Sequence, residues 1–345
     1  MVKNEKHSLY ILLFLILLIL QISCQNPNNS KEKIQESLSG NYFGQTPPKV
    51  SPELFAPEII STGAHEMSIT ISNDLKEIFI GRSSLNWSSS IVQFTNGQDG
   101  WKEAKLASFA RSLGNNYPFL SPDNKHLYFN SKRSGGDNGF VESNRGIWVS
   151  EFEENKWSAP NKVIPDIDPT ITLTYPSIAK NGNIYFNATL ENGLGHSDIY
   201  CVKKNKHGYG KPENLGSVIN SEYYEFHPYI SPNEDFLMFD AVNPDGYGSN
   251  DIYISFKDKD GEWMKAVNLG ETINGEAADM RPYLSPDGKY LFFSSNRKNI
   301  QEGLETSKVD IHKFSEILNG PGNGSQDIYW VDAKIIEDIK TAHFK

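Results

Sequence analysis

One short run of residues recurs along this chain with its punctuation intact, which points to a stack or ring of similar units. Three copies nearly superimpose: Tyr117-Pro-Phe-Leu-Ser-Pro-Asp-Asn-Lys-His-Leu-Tyr-Phe129, His227-Pro-Tyr-Ile-Ser-Pro-Asn-Glu-Asp-Phe-Leu-Met-Phe239 and Arg281-Pro-Tyr-Leu-Ser-Pro-Asp-Gly-Lys-Tyr-Leu-Phe-Phe293. A fourth, Tyr175 to Phe186, has an altered turn, and Ser68 to Phe79 is a more distant fifth. Measured at the residue before the turn (Ser72, Ser121, Ala179, Ser231 and Ser285), the spacings are 49, 58, 52 and 54 residues.

Each unit has a simple physical reading. A short strand meets Pro-Asp-Gly or an equivalent, where Pro presets φ and Gly or Asn accepts φ > 0, so the chain turns back. A second strand rich in Leu, Tyr and Phe follows. A Gly-rich loop then leads to a third strand: Asp198-Ile-Tyr200, Asp251-Ile-Tyr253, Asp327-Ile-Tyr329 or Gly146-Ile-Trp148. The fourth strand is expected to open with an aromatic, as in Trp157-Ser-Ala-Pro160, Tyr209-Gly-Lys-Pro212 and Trp263-Met-Lys-Ala266. Pro withholds a ladder donor, so this strand belongs at an outer edge. Four antiparallel strands of this length make one blade of a β-propeller.

The Pro-x-x-Ser-Pro-Asp-Gly-Lys-x-Leu-x-Phe run and the Asp-Ile-Tyr strand resemble the WD40-like PD40 repeats of TolB-type β-propellers, over residues 68–331. The resemblance implies an all-β chain with a single five-bladed β-propeller. Six blades, the alternative, need one more repeat than the chain displays. Phe55 to Ile60 reads as a fourth strand without a first three, and the last unit ends near Val331 without a fourth. The N-terminal strand is therefore expected to close the ring. Such a scaffold hosts many tasks and does not name one.

Ahead of the repeats, Lys3 and Lys6 precede an apolar run from Leu9 to Ile22, of signal-peptide rather than membrane-spanning length. It ends at Leu20-Gln-Ile-Ser-Cys24, which resembles a bacterial lipobox, with Gln21 where an aliphatic residue is usual. That resemblance implies lipidation at Cys24 and attachment to the bacterial cell envelope, at the outer membrane. An ordinary signal peptide or an uncleaved anchor is the alternative. The expected layout is a signal peptide over 1–23, the lipidated Cys and a polar tether over 24–52, the propeller over 53–335 and a tail over 336–345.

In an antiparallel meander, the connections from strand four to one and from two to three share a face. Here that face carries the long loops 134–145, 243–250 and 298–326, the last with a helix-like stretch from Ser307 to Leu318. Long loops on a rigid frame are where binding sits. The start of each innermost strand reaches the same face. Six residues before the turn anchors stand Glu66, Asn115, Leu173, Glu225 and Asp279, and four before stand Ser68, Tyr117, Tyr175, His227 and Arg281. The candidate binding residues are Glu66, Tyr117, Tyr175, Glu225, His227, Asp279 and Arg281.

Two functions stay open. A non-catalytic propeller would use these groups to bind a protein or glycan partner. A glycan-cleaving enzyme would use Glu66, Glu225 and Asp279 as acid, base or nucleophile, and tuning partner. The plainer assignment has these acids solvated, or paired with Arg281 and backbone amides.

Other classes fall away. A formal charge of −10 disfavours nucleic acid, whose phosphates need clustered Lys and Arg. No cofactor or metal is implied, because there is no His-Glu-x-x-His, Walker-type or Gly-x-Ser-x-Gly motif. The repeated Asp of Asp-Ile-Tyr reads as a brace to turn amides, and Cys201, in an apolar strand, as an inert buried thiol.

Overall fold

The computed structural model describes residues 39–133, 146–163, 171–298 and 309–344. The signal peptide, Cys24 and the 134–145 loop lie outside them. The chain divides into two compact units, Met1–Gly44 and Gln45–Lys345. The first is described from residue 39 on, where Asn41–Gly44 forms a 3-10 turn. The second holds all five repeats.

Its described strands form five antiparallel blade sheets and one small two-stranded hairpin, and the inner strands of the blades neighbour one another in a closed ring. The inner strands are His65–Ile71, Asn115–Leu120, Thr174–Ile178, Tyr224–Ile230 and Asp279–Leu284, which begin blades one to five in order. The propeller has five blades, not six. In blade five, Asp327–Asp332 pairs with Glu53–Leu54, so the N-terminal strand supplies the missing fourth strand. It acts slightly earlier than expected: Glu53 faces Trp330, Leu54 faces Tyr329, and Phe55 N donates to Ile328 O at 2.8 Å. The Phe55 ring is fully buried against Phe292 and Trp330.

The fourth strands are also shorter and later than the aromatic cue suggests. They are two-residue pairings, Lys105–Leu106, Asn161–Lys162, Glu213–Asn214 and Val267–Asn268. The aromatics Trp157 and Tyr209 sit upstream, in small hairpin extensions of the third strand, and Trp263 in an isolated bridge to Lys257. Their packing role is nevertheless between blades. Trp157 lies edge-on to Phe79 of the preceding blade, and Trp263 edge-on to Tyr185.

The turns explain the repeated Ser-Pro-Asp. Ser121 Oγ accepts His126 N and donates to Asp123, and Ser72 and Ser285 make the same brace with Asp74 and Asp287, while Ser231, in a Ser-Pro-Asn turn, donates to Asp235 four residues on. The hydroxyl and carboxylate occupy turn amides that would otherwise go unpaired. On the opposite face, the helix-like stretch is a helix over Ile311–Asn319 with Asp310 as N-cap. The C-terminal segment carries a second helix, Lys334–His343.

Candidate functional site

The inner strands are not smooth. Each has a register shift just after its start, at Glu66/Ser68, Asn116/Phe119, Thr174/Ser177, Phe226/Tyr229 and Met280/Tyr283. In four blades the residue at this bulge precedes Pro and takes a positive φ: Tyr117 at 52°, Tyr175 at 57°, His227 at 48° and Arg281 at 58°. The Pro has no N–H to lose from the ladder, so it is tolerated at the bulge, which the first blade forms without one. A bulge re-aims one side chain, and here it turns one from each of four blades towards a common place.

The freed amides at these bulges need acceptors: Asn116 Oδ1 accepts Tyr117 N within its own blade at 2.9 Å, and for the other three the preceding blade provides them. Asn130 Oδ1 accepts Tyr175 N at 2.7 Å, Asn187 Oδ1 accepts His227 N at 3.2 Å, and Asp240 Oδ1 accepts Arg281 N at 3.0 Å. The repeat motifs do not single out these acceptors. Their signal is the residue after the second-strand Phe, which is Asn130, Asn187 and Asp240 in consecutive units. Asp240 also accepts Asn250 Nδ2 at 2.9 Å.

The four bulge side chains meet. Tyr117 lies 5.3 Å from Tyr175 and 5.9 Å from His227 between ring centroids, and Tyr175 lies 5.0 Å from His227. The Arg281 guanidinium sits over the Tyr117 ring at 5.5 Å. Two residues further along the inner strands, Phe119, Tyr229 and Tyr283 contact one another and fill the channel below. The mouth is thus a polar and aromatic basin on an aromatic floor, with Tyr117 half-buried and Tyr175, His227 and Arg281 buried. Burial lowers the His227 pKa, which Asp240 opposes and Arg281 reinforces, so the imidazole is neutral near pH 7. Its Nδ1 then carries the proton towards Asp240, since a carboxylate can only accept.

Two buried atoms at this level, Arg281 Nε and Ser68 Oγ, have no hydrogen-bond partner among the described residues. Arg281 Nη1 donates to Ser294 Oγ and Gln326 Oε1, both at 3.0 Å. Its side chain is buried, yet no described carboxylate forms an ion pair with it.

The three candidate carboxylates are placed differently. Glu66 is fully buried, paired with Arg82 Nε at 2.8 Å, and accepts Thr62 N at 3.0 Å and Thr62 Oγ1 at 2.8 Å. Glu225 accepts Ser221 N at 3.0 Å and the Ser221 hydroxyl. Asp279 accepts Gly275 N at 2.7 Å and pairs with Arg297. Each carboxylate therefore braces the loop four residues upstream in the chain. Their backbone amides stitch blades together: Glu66 N to Gln326 O, Glu225 N to Ser197 O and Asp279 N to Asn250 O. No described hydrogen bond joins one of the three to another. Burial raises the pKa of Glu66 and of Glu225, against the pull of Arg82 and of their hydrogen-bond donors.

The repeated Asp behaves as expected. Asp198 accepts the Leu194 and Gly195 amides, Asp251 those of Tyr247 and Gly248, and Asp327 that of Gly322. Cys201 is buried, and burial pushes its thiol up to about 12. Among the described residues, no cluster of three His, Cys, Asp or Glu is arranged to hold a metal ion.

No family model matches the chain, and no curated protein matches it. Several solved structures are similar at low identity. A TolB-like protein from Agrobacterium tumefaciens is 13% identical, with 77% of this chain and 89% of that one covered, at a TM-score of 0.47. TolB from Acinetobacter baumannii is 14% identical over 77% of this chain and 57% of its own, at 0.44. An alpha-L-arabinofuranosidase from Lactobacillus brevis is 13% identical over 80% and 92%, at 0.49. Likenesses of this size carry no argument about what the chain binds or cleaves.

Proposed function

We propose that this chain is an envelope-anchored, non-catalytic propeller that binds a protein or glycan partner at its channel mouth. The observation that carries the reading is the basin itself. Tyr117, Tyr175, His227 and Arg281 arrive from four blades on strained bulges, and two buried polar atoms beside them lack partners among the described residues. Strain of this kind is retained where surrounding structure over-determines it, commonly at ligand sites. A buried, unmatched donor costs about 1–3 kcal/mol, which a ligand acceptor would return.

The enzymatic alternative draws support from the raised pKa of Glu66 and Glu225, which suits a general acid. Against it, each carboxylate is buried and committed to its own loop. The envelope address rests on the N-terminal apolar run and Cys24. No described helix is long and apolar enough to cross a membrane.

The test uses the full chain in detergent, screened against soluble polysaccharides and, by cross-linking, against envelope proteins. Binding that is lost in Tyr117→Ala and in Arg281→Ala, each measured well below its own melting temperature, is the expected result. Hydrolysis of any of the polysaccharides by the wild type, lost in an equally stable Glu66→Gln, would establish the enzyme instead.

A further inference from the structure

Beside the basin, between blades one and two, lies an open cleft of about 1060 Å3 whose lining includes Met67, Trp87, Arg111, Leu113, Tyr117 and Lys132. Tyr117 lines the cleft and is also one of the four basin residues, so the two adjoin. Trp87 is the unusual member. It is 60% exposed, yet lies flat on His65 at 5.0 Å and 6° between ring planes. Its φ is 64°, a conformation costly for a bulky side chain and ordinary for Asn or Gly. An indole held open at a cleft, in a backbone that disfavours it, offers a flat face for stacking.

Among the described residues, the charged groups that line the cleft are both cations. Arg111 is exposed and Lys132 half-buried, and no described carboxylate pairs with either. Arg281, over Tyr117, is buried and likewise has no described carboxylate partner. In a chain of net charge −10, two cations without described counterions along one groove, with Arg281 in the adjoining basin, mark a place for an anion. Planar guanidinium groups match carboxylates especially well. Between the charges, the lining is amide and hydroxyl, including Asn86 and Ser112, which suits hydroxyl-rich groups that need convergent donors and acceptors.

We propose that the cleft and basin together hold a short stretch of an acidic glycan, a chain of carboxylate-bearing sugar rings. One ring would lie on Trp87, and ring carboxylates would meet Arg111, Lys132 and Arg281. This rests on the binding reading above and names its ligand class.

The experiment is calorimetric titration of the full chain in detergent with oligogalacturonate, a neutral hexaose of cellulose, and poly-glutamate as an acidic chain without sugar rings. Oligogalacturonate should bind, with the neutral glycan and poly-glutamate at least tenfold weaker. Trp87→Ala and the Arg111→Ala/Lys132→Ala pair should each weaken binding tenfold or more without lowering the melting temperature, and the pair should flatten the salt dependence. Equal binding of poly-glutamate would reduce the groove to a charge site, and equal binding of the neutral glycan would remove the role of the cations; either overturns the proposal. So does absence of oligogalacturonate binding. Loss of binding in Arg281→Ala but not in the cleft variants would sink the cleft and leave the basin standing. The reverse pattern would keep the cleft and discard the basin.

Discussion

His227 Nδ1 lies 2.8 Å from Asp240 Oδ1, and that same oxygen accepts the backbone amide of Arg281 from the next blade. One fully buried carboxylate therefore fixes two of the four basin residues at once. Asp240→Ala should cost at least about 2 kcal/mol in denaturant melts, because it strands charged-acceptor hydrogen bonds. It should also loosen the basin, seen as faster exchange of the Arg281 amide. A loss under about 0.5 kcal/mol would mean that water replaces the carboxylate.

The closing segment buries the Phe55 ring against Phe292 and Trp330, in addition to its strand pairing. Phe55→Ala should cost about 3–5 kcal/mol, the range for emptying a large aromatic site in a core. Trp263, half-buried against Tyr185 and under Lys257, should cost roughly half as much when cut to Ala. Equal losses in urea melts would show that closure at Phe55 is no more important than ordinary packing between blades.

Asp279 separates fold from function. Its carboxylate is buried and paired with Arg297, so Asp279→Ala should destabilise by about 3–5 kcal/mol, as when one partner of a buried pair is removed. A catalytic acid would instead tolerate substitution in stability while losing turnover. Thermal melts beside a hydrolysis assay distinguish the two.

Asp327 predicts a pH dependence. Burial, with a smaller push from Glu66 and an opposing hydrogen bond from Gly322, raises its carboxyl to about 7. In the unfolded chain it titrates near 3.8, so between these values the folded state holds a proton that the unfolded state has released. Stability from this group is therefore present below the unfolded value, falls as pH rises towards 7, and is level above. Asp327→Asn should remove that slope, measured as the difference in unfolding free energy between pH 5 and pH 8. The lowered pKa of His227 works in the opposite direction below about pH 6.5, which is why the variant comparison is needed.

Cys24→Ala should move the chain from the membrane to the soluble fraction, since two or three acyl chains anchor stably where one does not. Unchanged detergent partitioning of the variant would remove the lipid anchor from the account.

Much of this protein is local in origin and so was legible in one dimension. Ser-Pro-Asp turns, strand alternation and the spacing of the units depend on residues a few places apart, and they fix five blades. The orphan strand at Phe55 pointed to closure because strand pairing is a counting problem. The meeting of Tyr117, Tyr175, His227 and Arg281 also followed, since a common register puts equivalent positions at one level of the ring. Tertiary structure alone decided which polar residues meet at the channel mouth and which are spent bracing loops. Glu66, Glu225 and Asp279 share the register of a mouth, but loop amides and Arg82 or Arg297 claim them. The acceptors Asn130, Asn187 and Asp240 acquire their role only from the bulge of the next blade. The bulge amides that these acceptors satisfy lie some 40 to 45 residues further along the chain. No pattern within one unit encodes which neighbour arrives first.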